Sequence, residues 1–283
     1  MKHLFFIAAL LTIAACNNKM TNSTKTIAMQ SGHAPVNGID MYYEIHGEGA
    51  PLVLIHGGGS TIGTSFGRVL PLLAAQFKVI AVELQAHGRT SDRDAPESFE
   101  SDADDVAALL HYLHIDKASF FGFSNGGNTA MQIAIRHPEV VDKLVIASAF
   151  YKREGMMPGF FEGLAGARLA NMPVVLQEAF RAENKDPKAL QAMFEKDRDR
   201  VVQFRDWPDE YLQKISAKTL FMVADKDVMS VEHTAQMARH VANSQLLILP
   251  GTHGSYIGEI MTEKPDMNII GLTMGVVRGF LEQ

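Results

Sequence analysis

A single cysteine in 283 residues, Cys16, excludes an intramolecular disulfide and a thiolate zinc site. Basic residues are not in surplus. The 26 Lys and Arg against 32 Asp and Glu leave a formal net charge of −6, which does not suit nucleic acid as a partner. No G-x-G-x-x-G or Walker spacing is present, so no nucleotide cofactor is implied, and Gly57-Gly58-Gly59 lacks that spacing too. Pro and Gly, 11 and 23 residues, are too few for a fibrous or low-complexity chain. The 47% hydrophobic content is too high for disorder. What remains is an ordinary globular composition, long enough for one large α/β domain or two average ones.

The apolar run Leu4–Ala15 follows Lys2 and is too short to span a bilayer, which takes about 20 residues. It has the length of a signal-peptide core. Small residues Ala14 and Ala15 then precede the lone Cys16. The tetrapeptide Ile13-Ala14-Ala15-Cys16 resembles the lipobox of bacterial lipoproteins. That resemblance implies a signal peptide over 1–15, acylation of Cys16 and a lipid bilayer as partner. Several acyl chains on one residue anchor stably, whereas one binds only marginally. The protein is then expected in the bacterial cell envelope, facing the periplasm or exterior. Residues 16–34, polar after the Cys, are expected to be a tether, with the folded domain over 35–283.

Beyond residue 35 short apolar runs alternate with longer helical patterns. Ile39–His46 alternates as a strand. Leu52–Ile55, Lys78–Leu84, Ala118–Phe123, Lys143–Ala147, Thr219–Val223 and Gln245–Leu249 read as buried strands. A helix is expected after Ser101, with Val106, Leu109, Leu110 and Leu113 on one face. This predicts a mostly parallel sheet flanked by helices. The pattern breaks over about 150–214, which is rich in Met and Phe and reads as a helical lid inserted before a later strand.

Gly122-Phe123-Ser124-Asn125-Gly126 fits G-x-S-x-G between a strand and a helix, the context that exposes a nucleophilic Ser on a tight turn. A Ser hydroxyl is a weak nucleophile and needs a base oriented by an acid. Ala224-Asp225-Lys226-Asp227 after one strand supplies the acid, and His253 after the last strand supplies the base. The order Ser, Asp, His and the strand-end placement resemble the α/β-hydrolase superfamily over roughly 35–283. His56-Gly57-Gly58-Gly59 is similar to its oxyanion loop. Glu83–Thr90 is similar to its D-x-x-G-H-G-x-S segment, with Glu83, Ala86 and Thr90 departing from it. The resemblance implies Ser124 as nucleophile, His253 as base and Asp227 as acid, with Asp225 the rival. It also implies Gly58 and Asn125 as backbone donors to an oxyanion. No cofactor or metal is expected from the sequence.

The expected activity is hydrolysis of a small-molecule carboxylic ester, with an apolar group, through an acyl-enzyme. The alternatives are the same triad on a thioester, lactone, amide or carbon–carbon bond, perhydrolysis, or a non-catalytic binding protein of this fold. The other histidines have blander expectations. His111 and His114, spaced H-x-x-H, lack a third ligand and are expected at the surface. So are His233 and His240, while His56 and His87 are expected to hold loops. Asp197-Arg198-Asp199-Arg200 reads as a solvated helical face.

Overall fold

The structure is a computed structural model that describes residues 29–283. The signal peptide and the lipidated Cys16 expected from the sequence lie outside the described residues. Met29–Val36 (β1) and Ile39–His46 (β2) form a hairpin, turned by Asn37 and Gly38 with φ of 45° and 86°. Two consecutive positive φ angles are what a two-residue hairpin turn demands, and Asn-Gly accepts them at least cost. The chain therefore enters the sheet at Met29, six residues before the expected start of the domain. Polar composition concealed this strand. Only Ala34 and Val36 of β1 are buried, and its pairing is carried by backbone.

Ala50–Ile55 (β3) is followed by the short helices Ile62–Phe66 (α1) and Leu70–Ala74 (α2) and by Phe77–Val82 (β4). Phe99–Tyr112 (α3) leads to Ala118–Phe123 (β5), Asn125–Arg136 (α4) and Val141–Ala147 (β6). Four helices outside the sheet follow: Phe160–Ala165 (α5), Val174–Glu183 (α6), Ala189–Val202 (α7) and Asp209–Gln213 (α8). Lys218–Lys226 (β7), Val231–His240 (α9), Ser244–Thr252 (β8) and Met267–Leu281 (α10) complete the chain. The sheet order is β1-β2-β4-β3-β5-β6-β7-β8; β1, β2 and β4 pair antiparallel and the remainder is parallel.

The central strands carry continuous buried apolar runs because both sheet faces are covered. Val53, Ile55 and Phe120 join α3, α4 and α9 in one core; Leu52, Leu54 and Phe121 join α1, α2 and α10 in the other. Each such side chain contributes roughly 1.5–3 kcal/mol by leaving water. Helix α3 starts earlier than expected. Ser98, not Ser101, is its cap, and Ser98 and Ser101 exchange side-chain and backbone hydrogen bonds. Among the described residues no helix is long and apolar enough to cross a membrane.

Candidate active site

Strand β5 runs along the middle of the sheet and ends at Phe123, and the next residue, Ser124, with φ of 55° and ψ of −122°, brings the chain sharply into α4. A non-glycine residue in this region costs on the order of 1–3 kcal/mol and persists only where its surroundings enforce it. Two glycines make the turn sterically feasible. A Cβ on Gly122 would collide with the Gly126 carbonyl, and one on Gly126 with the Ile55 carbonyl. Ser124 N–H donates to the Ala147 carbonyl at 2.8 Å, which ties the turn to β6.

Ser124 Oγ lies 3.1 Å from His253 Nε2, and His253 Nδ1 lies 2.6 Å from Asp227 Oδ1. The three side chains come from the ends of β5, β8 and β7. Asp227 is the carboxylate brought to His253. Asp225 is exposed and instead accepts from the Gly251 N–H at 2.7 Å. Asp227 also accepts from Val228 N–H at 2.8 Å, Ala224 N–H at 3.2 Å and Ser148 Oγ at 2.5 Å. Burial alone would raise its carboxyl. The hydrogen bond and charge of His253, then Ser148 and Ala224, more than offset that and hold it below the usual carboxylate value. An ionised Asp227 accepting at Nδ1 fixes the proton there and leaves Nε2 free to accept from Ser124.

Gly58 and Asn125 stand beside Ser124 and line the same cavity. Among the described residues no acceptor takes the backbone N–H of either. A Cβ on Gly58 would run into Asn125 Nδ2 and Asp197 Oδ2, so a side chain here would have to displace both. The loop is held from behind by His56, which donates from Nδ1 to the Gly57 carbonyl and accepts the Leu84 N–H at Nε2. The His87 ring packs against His56, tilted by 45° with ring centres 4.9 Å apart. Burial first, and the His56 charge second, bring His87 down to about 3, so it is neutral. The divergent Glu83 segment is scaffolding. Buried Glu83 accepts from the main chain and guanidinium of Arg89, and Thr90 Oγ1 bridges the Glu83 carbonyl and the Tyr42 N–H.

The cavity above Ser124 has a volume of about 360 Å³. Its walls include Met156, Phe160, Met172, Met193 and Phe194 from the inserted segment. Adaptable apolar side chains of this kind with few polar anchors suit an apolar ligand. Among the described residues no group of three His, Cys, Asp or Glu side chains is placed to hold a metal.

Two sequence expectations fail here. Asp197 and Arg200 are not a solvated face. Arg200 is 6% exposed and donates to Asp197 and Asp102, with Glu97 at 3.7 Å, while Asp197 accepts from Asn125 Nδ2 at 3.0 Å. Only Arg198 and Asp199 pair near the surface. Burial would raise the Asp197 carboxyl, but Arg200 foremost, then His87 and Asn125, hold it below the usual value. His233 is buried rather than exposed. It stacks on Tyr151 and accepts the Tyr151 N–H at 3.2 Å, and burial above all lowers it to about 4. Sequence reasoning also missed Ser148, which links Asp227 to buried Tyr256 at 2.6 Å.

A mostly parallel sheet with helices on both faces, and a Ser, His and Asp meeting at the ends of its strands, define an α/β-hydrolase fold. The chain belongs to the alpha/beta hydrolase fold family, whose model matches residues 50–201. It is 29% identical over 253 residues to the human serine hydrolase BPHL, covering 81% of this chain and 82% of that one. A meta-cleavage product hydrolase from Pseudomonas fluorescens superposes with a TM-score of 0.73 at 21% identity, over 90% of this chain and 98% of that one. Est816, described as an N-acyl homoserine lactone degrading enzyme, superposes with a TM-score of 0.68 at 26% identity, over 88% of this chain and 99% of its own.

The two aspartates give a direct test of this geometry. Asp227→Asn is expected to lower kcat by about 10⁴-fold, as loss of a tautomer-fixing carboxylate does. Asp225→Asn is expected to leave kcat close to the parent value. Steady-state kinetics on both variants check this; the opposite ranking would move the acid to Asp225.

Proposed function

We propose that this protein is a serine-dependent hydrolase of neutral carboxylic esters with an apolar acyl group. The observation that carries the proposal is the chain of short contacts Ser124–His253–Asp227 opening directly into an apolar cavity. His253 Nε2 takes the Ser124 proton as Oγ attacks the ester carbonyl. The tetrahedral oxyanion accepts from the N–H groups of Gly58 and Asn125, each worth roughly 3–4 kcal/mol in the transition state. The protonated His253 then gives its proton to the leaving alkoxide, and an acyl-enzyme remains on Ser124. Water, deprotonated by His253, attacks that acyl group, and the carboxylic acid leaves as the proton returns to Ser124 Oγ.

Charge around the cavity favours a neutral substrate. The carboxylate of Asp197 lines it, and the Arg198 guanidinium, which also lines it, is engaged by Asp199 and the Ala167 carbonyl. Asp197 is itself paired with Arg200, so neither charged side chain of the inserted segment offers an unpaired cation to a carboxylate, and this works against carboxylate-bearing substrates such as the dienoate for which one similar structure is named. A lactone is an internal ester and fits the same chemistry, in keeping with the description of Est816.

The sequence of the N-terminus supports a second part of the proposal. Acylation of Cys16 would hold this enzyme on a membrane of the bacterial envelope, with the hydrolase domain facing the periplasm or exterior.

Purified in detergent, the full chain is expected to hydrolyse p-nitrophenyl esters of short fatty acids, and Ser124→Ala to lose about 10⁴-fold or more in kcat. A parent chain inert to neutral esters but active on a carboxylate-bearing dienone would contradict the substrate assignment. Cys16→Ser is expected to move the protein from the membrane to the soluble fraction on centrifugation. An unchanged distribution would contradict lipidation.

A further inference from the structure

Asp197 belongs to α7, in the inserted segment, yet its carboxylate reaches the turn that bears the nucleophile. Its Oδ1 accepts from the Asn125 side chain, and Arg200 donates to that same oxygen. Arg200 reaches Asp102 on α3 as well, and Asp102 lies against Thr129 of α4 at 3.5 Å. Helix α7, α3 and the start of α4 are thus fastened together at one buried point. The other carboxylate oxygen, Oδ2, stands 2.5 Å from where a Cβ on Gly58 would fall. One side chain of the inserted segment therefore reaches both cavity-lining residues whose backbone N–H groups have no acceptor among the described residues.

We infer that Asp197 is a positioning residue for the oxyanion hole: it fixes Asn125 through its side chain, bounds the Gly58 loop, and so sets the direction of the two N–H donors. This rests on the acyl-transfer reading above. The need for such a restraint comes from Ser124. Asn125 directly follows a residue in a strained conformation, so small relaxations of that turn swing the Asn125 N–H. Oxyanion donors are effective only when held in place before charge develops. A carboxylate this close to a developing oxyanion would by itself oppose the reaction. Arg200 cancels that effect, so the ion pair supplies rigidity with little net field. The lid thereby becomes part of the catalytic geometry as well as the cavity wall.

The test compares Asp197→Ala, Asp197→Asn, Asn125→Ala and the Asp197→Ala/Asn125→Ala double variant. Kinetics on a p-nitrophenyl ester are read alongside the affinity for a trifluoromethyl ketone, which forms a tetrahedral adduct with the serine. Removing an oxyanion donor outright costs about 10²–10³-fold, so misaligning one should cost about 10–100-fold. Asp197→Ala is expected to lower kcat by that factor with KM nearly unchanged, and to weaken the ketone in parallel. Asp197→Asn, whose amide oxygen still accepts from Asn125, is expected to recover most of the loss. The double variant is expected to be little worse than either Ala variant alone, because both remove one hydrogen bond. Unchanged kcat in Asn125→Ala, or a loss confined to KM with ketone affinity intact, would overturn the inference. So would additive losses in the double variant. Asn125→Ala keeps the buried Asp197–Arg200 pair, so it remains informative if Asp197→Ala folds poorly. Failure of the acyl-transfer reading would appear as inactivity of the parent chain, whereas failure of this inference appears only among the variants.

Discussion

Ser124 is held at φ 55° between a central strand and a helix, and much of the molecule is arranged so that it can stay there. The sheet register places Gly122 of β5 beside Ile55 of β3, so the end of one strand lies against the start of the loop His56–Gly59. Gly126 lets the following helix press against the Ile55 carbonyl. The parallel neighbours on the other side, β6 and β7, end at Ala147 and Lys226, where Ser148 and Asp227 meet. A strained turn is affordable only on a rigid base, and the two cores packed on the sheet provide it. The side chains of Ser124, His253 and Asp227 thus come from the ends of three strands whose relative heights are fixed by backbone pairing.

Electrostatics is partitioned by burial in a consistent way. Asp227 and Asp197 are both kept ionised by specific cationic or hydrogen-bonding partners, although burial pushes each the other way. His87 and His233 are both kept neutral, chiefly by burial, and serve as packing and hydrogen-bonding groups. Asp102 rises to about 6, above all through burial, despite the adjacent Arg200. Charge is therefore retained on Asp227 and Asp197, which have specific partners, and lost from His87 and His233, where burial prevails.

Much of this was legible in the sequence because it is local. Buried strands show as apolar runs, and the sharp turn at Ser124 shows as G-x-S-x-G between a strand and a helix. The preference for Asp227 over Asp225 came from the family resemblance, and of the two only Asp227 reaches His253. What escaped depends on distant partners. Asp197 and Arg200 resemble a solvated charge run until Asp102 and Asn125, far away in sequence, are folded against them. Ser148 carries no motif; its position just past an apolar strand, level with the acid, was the available signal. Strand β1 was concealed because an edge strand can be polar on nearly every residue and still pair through its main chain. The cap of α3 was misplaced by one turn because a serine pair, rather than Ser and Glu, forms its capping box.

The central claim is that Ser124 is a nucleophile activated by His253. Reaction with a fluorophosphonate, followed by mass-spectrometric location of the adduct, tests it most directly. The account predicts a single adduct on Ser124 in the parent chain and a rate of labelling at least about 10³-fold lower in His253→Ala. An adduct on another residue, or undiminished labelling of Ser124 in the His253 variant, would contradict it.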